Sequence, residues 1–494
     1  MPWTLEIHHI DVGQGDATLI VARRIGGGLP PIVRSVLIDG GEAIKGPDVH
    51  AYITGTAGLA NLDVMVATHY DADHVGGLSN LLINYLGTYD NTIIYDQGWA
   101  IGCEPQAYTL GINGRILGGG GAPVLAPALV GAMLNRRRPT NHIINDPGAG
   151  AGIPGVYLGL GPPAVPAPGI VIGGVPSPPN WLVGKEIMWT DGRGYPNPNL
   201  YGGAAVAAGL PVLSAVGAIA WPAGAGVPAP GAPGGPPSIK CIAANEEVLQ
   251  PGGGTLNMAS GLHAPCSNRG KNEKSLAFLI EFNRFRYYIG GDIESAQEDG
   301  FGGIMNFINP GNVAAGKVHA MKMSHHGSGN SSSAIFINCL RPSAAIISCG
   351  TNNGFGLNPP PSPPGHPQQI VINSLTAALT TQNIYMTSDR HEDDFCARLN
   401  APLFGPFLPG SGHYSPNSIT AGGWGLIVGA APPLPSPCGG VWPNDGAPGH
   451  IFGNIRIDGN EAQSNFVGGV LGAAGVANFT VTYNHPLGVQ VVAH

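Results

Sequence analysis

The chain has 494 residues, of which 43% are hydrophobic and only 11% are charged. That apolar content is ordinary for a globular protein and is sufficient for one large domain or a few smaller ones. The formal net charge of −8 argues against an extended basic surface for binding nucleic acid. It is compatible with a local basic groove or a metal-centred phosphate site.

The expected compartment follows from features that the sequence lacks. The N-terminus has no basic region followed by an apolar stretch, so no Sec-type signal is predicted. Residues 202–221 are long enough to span a membrane, but they consist largely of Gly and Ala, contain Pro211 and lack a basic flank. The seven cysteines form no CxxC pair. We expect a cytoplasmic protein with reduced thiols and no membrane contact, with export by a non-Sec route left open.

Residues 1–99 have the pattern of strands followed by a helix. Alternating or continuous apolar runs predict strands, and apolar residues at helical spacing predict a helix over 76–86. The predicted strands are LEIHHIDV (5–12), DATLIVARR (16–24), SVLIDGG (35–41), DVMVAT (63–68) and NTIIYD (91–96). Strands that alternate with helices indicate α/β layering.

Two long segments are rich in Gly and Pro, which together make up about a quarter of the chain. Residues 100–240 have no lasting period and no fixed-length repeat, and we predict an insertion. Three roles are open for this insertion: a lid over the site, an assembly surface, or no active role. Residues 391–494 are predicted to be a C-terminal extension, closed by a strand pair at 449–459 and 478–484.

Regular patterns return in residues 241–390. A hairpin is predicted from 275–282 and 287–291, and a helix over 295–308. Further strands are predicted at 317–324, 343–350 and 383–387, and further helices at 332–340 and 367–382. Two αβ halves on either side of an insertion predict a sandwich of two sheets with helices outside.

A short loop after the strand DVMVAT crowds titratable groups together. His69, Asp71, Asp73 and His74 follow this apolar strand and precede a helix that begins with glycines. Imidazole and carboxylate suit Zn²⁺, Mn²⁺ or Fe, and the high share of oxygen favours Mn²⁺. A solvated loop with Asp73 as a helix cap is the alternative. Four metal-capable groups in six positions favour metal binding.

Two later segments carry similar groups at the ends of strands. His325 and His326 follow the strand KVHAMKMS, and Asp292 follows YYIGG. Each motif alone is weak, since an HH pair or an Asp in a Gly turn occurs widely. Their shared placement after strands is what predicts one site, in which Asp292 is suited to bridge two metal ions.

The motif order DVGQGDA, LIDGG, THYDADHVGG, NEKS, GGDIESAQE and SHHGS resembles the metallo-β-lactamase superfamily. Within it, the chain is most similar to the hydrolase domain of ComEC-type DNA-uptake proteins and their stand-alone relatives. The motifs cover about residues 5–99 and 268–390. The resemblance implies an α/β fold, the αββα sandwich, with its halves in 1–99 and 241–390. The insertion 100–240 and most of 391–449 lie outside it.

The resemblance also implies a set of ligands for one or two divalent metal ions, zinc or manganese. His69 and Asp71 would hold the first ion, and Asp292 would bridge the two. Asp73, His74 and His325 would hold the second ion. Many superfamily members supply a further histidine before the bridging Asp. Here only His142 and His263 lie in that interval, and neither follows a clear buried strand.

Asp16 and Asp39 are implied to orient the ligating histidines. Turn formation is the alternative, above all for Asp39 before Gly40 and Gly41. Two divalent ions would lower the pKa of a shared water, with Asp73 accepting its proton. His326 and Ser328 would contact the scissile phosphate or protonate the leaving oxygen, against the alternative of local hydrogen bonds in a turn.

Further residues are candidates for contacting the substrate. Lys271 lies in the basic stretch SNRGKNEKS and is suited to bind phosphate, although a solvated charged loop is the more common explanation for such lysines. Asn272 and Ser275 match an NxxS element of the family, and His366 matches an HP element near the rim of the site.

Three functions are carried forward. The first is a metal-dependent phosphodiesterase or nuclease, with nucleic acid or a nucleotide as its substrate. The second is a lactone, lactam or thioester hydrolase, since superfamily members use the same site for those reactions. The third is an assembling or structural protein on this scaffold, which self-associates through the Gly/Pro/Ala-rich insertions.

Overall fold

A computed structural model gives the architecture of this chain. The residues it describes are 3–24, 31–69, 71–85, 87–89, 92–96, 142–144, 183–189, 229–232, 235–244, 247–251, 253, 255–257, 272–282, 285–299, 304–308, 318–350, 366–378, 383–387, 418–420, 455–459, 466–467, 470–471, 479–485 and 488–493.

The first sheet has nine strands, built mostly from the N-terminal residues. In spatial order it runs β20–β19–β16–β1–β2–β3–β4–β5–β6. The strands are β1 (Trp3–His9), β2 (Thr18–Arg24), β3 (Ile32–Ile38), β4 (Val64–Ala67), β5 (Ile93–Asp96), β6 (His142–Ile144), β16 (Ile455–Gly459), β19 (Phe479–His485) and β20 (Gly488–Ala493). Strands β3 to β6 are parallel and the rest are antiparallel. The predicted closing pair at the C-terminus is confirmed as β16 and β19.

The second sheet also has nine strands, in the order β15–β14–β13–β12–β11–β10–β7–β8–β9. They are β7 (Ser238–Ala244), β8 (Glu247–Leu249), β9 (Thr255–Asn257), β10 (Ala277–Phe282), β11 (Phe285–Gly290), β12 (Ala320–Lys322), β13 (Ala344–Ile347), β14 (Asn383–Met386) and β15 (Ser418–Thr420). The predicted hairpin is the antiparallel pair β10 and β11, and β11 to β14 are parallel. A separate two-stranded ribbon joins β17 (Phe466–Val467) to β18 (Val470–Leu471).

Helices cover the outer faces of the sheets. They are α1 (Gly46–Ala51), α2 (Ala72–Asn84), α3 (Ser295–Glu298), α4 (Ile304–Ile308), α5 (Ala334–Leu340) and α6 (Gln369–Ala378). Single 3₁₀ turns lie at Ala43–Lys45, Asn272–Lys274 and Ser324–Gly327, and a π turn lies at Tyr52–Thr56. Where the sequence predicts one helix over 295–308, the described residues form two short helices on either side of the glycines at 300, 302 and 303.

Alternating side chains show how the layers are stacked. On β2, Ile20 packs in the core between the sheets, while its neighbour Leu19 packs in a second core with α1 and α2. On β11, the Tyr287 hydroxyl reaches His9 of the first sheet at 2.8 Å, whereas Tyr288 contacts Phe336 of α5 edge to face. Successive residues of a strand point to opposite faces. The order of layers is therefore helix, sheet, sheet, helix, which confirms the predicted α/β sandwich.

Part of the predicted insertion belongs to the core. In residues 183–189, the carboxylate of Glu186 accepts backbone N–H bonds from Met188, Trp189 and Ile239, and the Trp189 ring packs against Trp3. Trp189 Nε1 donates to the carbonyl oxygen of Pro237. The aromatic burial offsets the cost of enclosing the carboxylate.

The boundaries predicted for the four segments stay predictions. In the part of the chain that the structure describes, no helix is long and apolar enough to cross a membrane.

Candidate metal centre

The polar groups of the site follow the carboxyl ends of parallel strands. Asp39 comes directly after β3, His69 lies two residues after β4, and Asp292 lies two residues after β11. His325 and His326 follow β12 in a 3₁₀ turn. Parallel strands present their carboxyl ends at one edge of a sheet. The two sheets face each other, so the two edges bring these side chains into one volume.

Asp73 and His74 enter the same volume from the first turn of α2. Two close approaches allow this helix to lie against the loop after β3. Gly40 N donates to the carbonyl of His74, and Gly77 N donates to the carbonyl of Gly41. A carboxylate in the first turn also interacts favourably with the helix dipole, which stabilises Asp73 in its ionised form.

Four buried groups meet at the centre of this volume. Ligand-capable atoms of Asp16, His74, Asp292 and His326 all lie within 4.8 Å of one another. His74 Nε2 is 3.2 Å from His326 Nε2 and 3.1 Å from Asp292 Oδ1. His326 Nε2 is 3.6 Å from Asp292 Oδ1 and 3.3 Å from Asp73 Oδ2. This cluster is able to bind a metal ion.

The Nδ1 atoms of three histidine rings form hydrogen bonds on the side away from the centre of the site. His74 Nδ1 donates to Asp39 Oδ2 at 2.8 Å, and His326 Nδ1 donates to the carbonyl oxygen of Ser348 at 2.9 Å. The hydroxyl of Thr68 donates to Asp39 Oδ2, so its oxygen is left to accept from His69 Nδ1 at 3.2 Å. In all three rings Nδ1 therefore carries a proton, and Nε2 is the nitrogen that faces the site.

This arrangement fits a divalent cation. The Nε2 atoms of His74 and His326 are 3.2 Å apart, a separation that requires a positive charge between them, either a proton or a metal ion. Ligand atoms about 2.1 Å from a tetrahedral metal ion lie about 3.4 Å apart, close to the separations observed here. Among the described residues, His69 Nε2 and Asp292 Oδ1 are buried without a hydrogen-bond partner. An imidazole and carboxylate donor set of this kind suits zinc or manganese.

The electrostatics of the metal-free protein point the same way. Burial alone would lower the pKa of His326, but the carboxylates of Asp292, Asp16 and Asp73 raise it to about 9. The pKa of His74 is likewise raised by Asp292 and Asp39 against the effect of burial. Burial would raise the pKa of Asp292, yet the surrounding imidazoles hold it well below its ordinary value. The site thus stabilises positive charge, and a metal ion competes for it with protons.

A second group of atoms lies on the other side of Asp292. His69 Nε2 is 3.7 Å from Asp71 Oδ2 and 3.6 Å from Asp292 Oδ2. His325 Nε2 is also 3.6 Å from Asp292 Oδ2, with the amide of Asn272 at 3.3 Å. The two carboxylate oxygens of Asp292 therefore face two different sets of histidines.

The histidine turn has an unusual backbone that the surroundings hold in place. His325 and His326 both adopt left-handed conformations, with φ of 50° and 53°. Such conformations cost free energy for residues with a Cβ and persist where neighbouring groups fix them. Glu298 does so: its buried carboxylate accepts hydrogen bonds from Ser332 N, the Ser324 hydroxyl and the Tyr288 hydroxyl. Burial raises the pKa of Glu298 to about 7.

The remaining predicted residues lie around this centre at different depths. Asp16 and Asp39 face the Nδ1 side of the histidines, as expected for orienting groups. Ser275 lies under Asp292, whose backbone N–H donates to the Ser275 hydroxyl at 3.1 Å. The His366 ring is buried, with its centroid 5.1 Å from that of His325. The Ser328 hydroxyl donates to Asn330.

Three predictions cannot be followed further. Lys271 and His263 lie outside the described residues, and of His142, which begins β6, only the backbone is described.

The sequence prediction counted His325 among the ligands of the second ion and gave His326 a catalytic role. The structure brings His326, not His325, to Asp73 and His74.

Four supporting residues were missed by reasoning from the sequence. Thr68 and Ser348 hold histidine rings, Glu298 holds the histidine turn, and Lys322 contacts Asp16 at 2.5 Å. Thr68 and Lys322 carried a weak signal, because each is a polar residue at the end of an otherwise apolar strand beside a metal-capable loop. Ser348 and Glu298 act across long sequence separations and left no local mark.

Replacing Asp39 with asparagine is expected to weaken metal binding by about 10–100-fold, the usual effect of losing a group that orients a ligand. The substitution would retain the shape of the side chain, but the new amide supplies only one acceptor for the His74 ring and the two Thr68 donors. The measurement is a Zn²⁺ or Mn²⁺ titration followed by calorimetry. Unchanged affinity in a folded variant would limit Asp39 to a structural role in its turn.

Comparisons with known proteins find a similarity over part of the chain. No family model matches the chain. Over 105 residues the chain is 33% identical to ComE operon protein 3 of Bacillus subtilis (strain 168). The aligned region covers 21% of this chain and 11% of that protein. The chain thus spans about a tenth of the length of this relative. The likeness to ComEC-type domains in particular stays a prediction.

The solved structures that match the chain include that of a nuclease. It is the crystal structure of a long form RNase Z from yeast, which matches over 74% of this chain and 39% of that one. The identity is 9% and the TM-score is 0.29, too low for a conclusion about fold or activity.

Proposed function

We propose that the protein is a metal-dependent hydrolase that holds two divalent ions side by side at the Asp292 carboxylate. The observation that carries this proposal is the meeting of the Nε2 atoms of four histidines at the Asp292 carboxylate. Asp73, His74 and His326 form one ligand set with Asp292 Oδ1. The other set comprises His69, Asp71 and His325 with Asp292 Oδ2.

In this proposal the HH pair supplies one histidine to each ion. His325 takes the place of the histidine that many superfamily members carry earlier in the chain. His326 takes the place that the sequence prediction gave to His325. The left-handed backbone of both residues supports this division, because it turns the two rings toward opposite oxygens of one carboxylate.

Bound divalent ions would supply Lewis acidity and a water of lowered pKa. The residues of the chain do the rest. Asp73 is partly exposed, so its carboxylate is the proposed acceptor for the proton of an attacking water. Asn272 and His366 flank His325 and are proposed to hold a substrate oxygen. Ser328, engaged with Asn330, is proposed to shape the rim.

A phosphodiester is the proposed substrate class. The side chains described next to His325 are polar, with the Asn272 amide 3.3 Å from its Nε2 and the His366 ring centroid 5.1 Å from its own. A pocket for a lactone or thioester acyl group is expected to have a more apolar lining. The motif resemblance to ComEC-type domains and the sequence similarity to ComE operon protein 3 add support. Nucleic acid or a nucleotide, with Lys271 contacting phosphate, is therefore the first substrate to test.

The deciding experiment measures metal content of the purified protein together with cleavage of bis-(p-nitrophenyl) phosphate and of single-stranded DNA, each with added Mn²⁺ or Zn²⁺. We expect about two ions per chain, as in two-metal hydrolases, and cleavage that depends on them. The double variant Asp73→Ala/His74→Ala is expected to lose both metal and cleavage while keeping its circular dichroism spectrum.

The other outcomes are also informative. Metal without phosphodiester cleavage would move the assignment to lactones, lactams or thioesters. A folded wild-type protein that binds no metal would contradict the enzyme assignment and favour an assembling protein, for which particle size would then be measured.

A further inference from the structure

A lysine is buried immediately behind the candidate metal centre. Lys322 is the last residue of β12, and its side chain is only 1% exposed. Its ammonium donates to the carbonyl oxygens of Gly290 at 3.0 Å and Met323 at 3.2 Å. Asp16 Oδ2 lies 2.5 Å from the same nitrogen. The ammonium thus donates two hydrogen bonds to backbone carbonyls and forms a buried ion pair with Asp16.

Two of these three groups belong to segments that carry proposed ligands, and the third contacts such a segment. Gly290 is the last residue of β11, two residues before Asp292. Met323 lies between β12 and the histidine turn. Asp16 follows β1 in the other half of the fold, and its backbone N–H donates to the carbonyl of Asp73 at 3.1 Å. One cation therefore connects the segments that bear Asp73, Asp292 and the two histidines.

The Asp16 carboxylate extends this connection to the rings. It lies 3.7 Å from Nδ1 of His74 and 3.7 Å from Nδ1 of His326, on the side away from Asp292. Its distance to the candidate ligand atoms would also allow it to bind the ion itself. The contact with Lys322 opposes that role, because the ammonium already compensates the charge of Asp16. Asp16 is therefore assigned to orient the rings.

Burying an ion pair is expensive, and well-packed apolar residues in its place often leave a fold equally or more stable. Stability alone therefore gives no reason for Lys322 and Asp16. A role in fixing the positions of several groups at once does give a reason, since the Lys322 ammonium holds two backbone carbonyls by hydrogen bonds and the Asp16 carboxylate by charge.

We propose that Lys322, through its pair with Asp16, is a positioning residue for the metal centre. It sets the separation of the strand ends that deliver Asp292 and the histidines, and it fixes the carboxylate behind the His74 and His326 rings. This inference rests on the proposed function, because it requires that a metal ion binds at this cluster.

The test uses Co²⁺ alone as the probe, since its visible absorption reports the number and symmetry of its ligands. The variant Lys322→Met/Asp16→Leu removes both buried charges together, so that neither is left unpaired. The matched control is Arg34→Met/Asp63→Leu. Arg34 and Asp63 form another ion pair, in which Arg34 is buried and Asp63 is half-buried, and Asp63 lies at the opposite end of β4 from His69. Melting temperature, Co²⁺ affinity and the Co²⁺ spectrum are measured for all three proteins.

The expected result separates positioning from stability. The Lys322→Met/Asp16→Leu variant should melt near the wild-type temperature, bind Co²⁺ about 10–100-fold more weakly and give an altered spectrum. The control should keep the wild-type spectrum and affinity whatever its melting temperature. Should the double variant not fold, Asp16→Asn decides, because it keeps the shape of Asp16 and removes its charge. At least a tenfold loss of Co²⁺ affinity is expected there.

Wild-type affinity and spectrum in a folded variant would overturn the inference and leave the proposed function standing. If the wild-type protein itself binds no Co²⁺, the proposed function fails, and the inference fails with it. The two failures are therefore distinguished by the wild-type titration alone.

Discussion

Replacing Asp292 with asparagine is expected to remove both metal ions and to lower metal-dependent phosphodiester cleavage by about 10³-fold, since metal-ion stabilisation is worth several kcal/mol. The two oxygens of this one carboxylate face two sets of histidines, so a single substitution affects both. The fold should persist. Without the carboxylate the pKa values of His74 and His326 fall, and both rings are buried in their neutral form. Metal analysis and steady-state kinetics test the prediction.

The histidine variants are the controls for this prediction. His325→Ala and His326→Ala should each lose one ion and keep the other, because each ring faces a different oxygen of Asp292. Loss of both ions from His326→Ala with no loss from His325→Ala would contradict the division of the pair. It would indicate one metal site, with His325 as a substrate contact. Retention of both ions by Asp292→Asn would contradict the shared carboxylate.

Substituting Gly77 with alanine is expected to lower the free energy of unfolding by about 3 kcal/mol or more, at the upper end of the range for overpacked sites. A Cβ at Gly77 would lie 1.8 Å from the carbonyl oxygen of Gly40, and the helix would have to move away from the loop after β3. Because α2 carries Asp73 and His74, metal affinity should fall together with stability. Thermal unfolding with and without Zn²⁺ measures both effects.

Gly55→Ala is the matched control. Gly55 lies in the π turn, and no atom lies within 4 Å of the position that its Cβ would take. Its substitution should change stability by about 0.5 kcal/mol or less. Equal melting temperatures for the two variants would show that the contact between α2 and Gly40 yields easily, and that the glycines of HVGG are not required for packing.

The ordered core of the fold follows from short-range patterns. The apolar strands, the hairpin of β10 and β11 and the helix after His74 were all predictable, because their periodicity is local. The metal-capable residues were also predictable, since His69, Asp292 and His325 each follow such a strand. Their partition between two oxygens of Asp292 was not. It depends on the left-handed turn at His325 and His326, which Glu298 maintains from another helix.

The roles of Lys322 and of residues 183–189 could not be predicted either, because they also depend on contacts between distant parts of the chain. Lys322 ends an apolar strand, and only the tertiary structure reveals its partner Asp16 from the opposite half of the fold. Residues 183–189 lie in a segment without periodicity, yet Trp189 and Ile187 are fully buried. Their place is set by pairing with the backbone of β7 and by the carboxylate of Glu186, neither of which is visible as a sequence period.

The hydrogen bond from Trp189 to Pro237 has a consequence for how this protein tolerates change in length. It joins two points that are 48 residues apart in the chain. The intervening chain therefore starts and finishes at one anchored junction of the core. The entropy of closing such a loop increases only slowly with its length. The junction is thus a natural point for evolutionary insertion and deletion, and a place where a reporter domain can be grafted while the edge of the sandwich that carries the candidate metal centre keeps its shape.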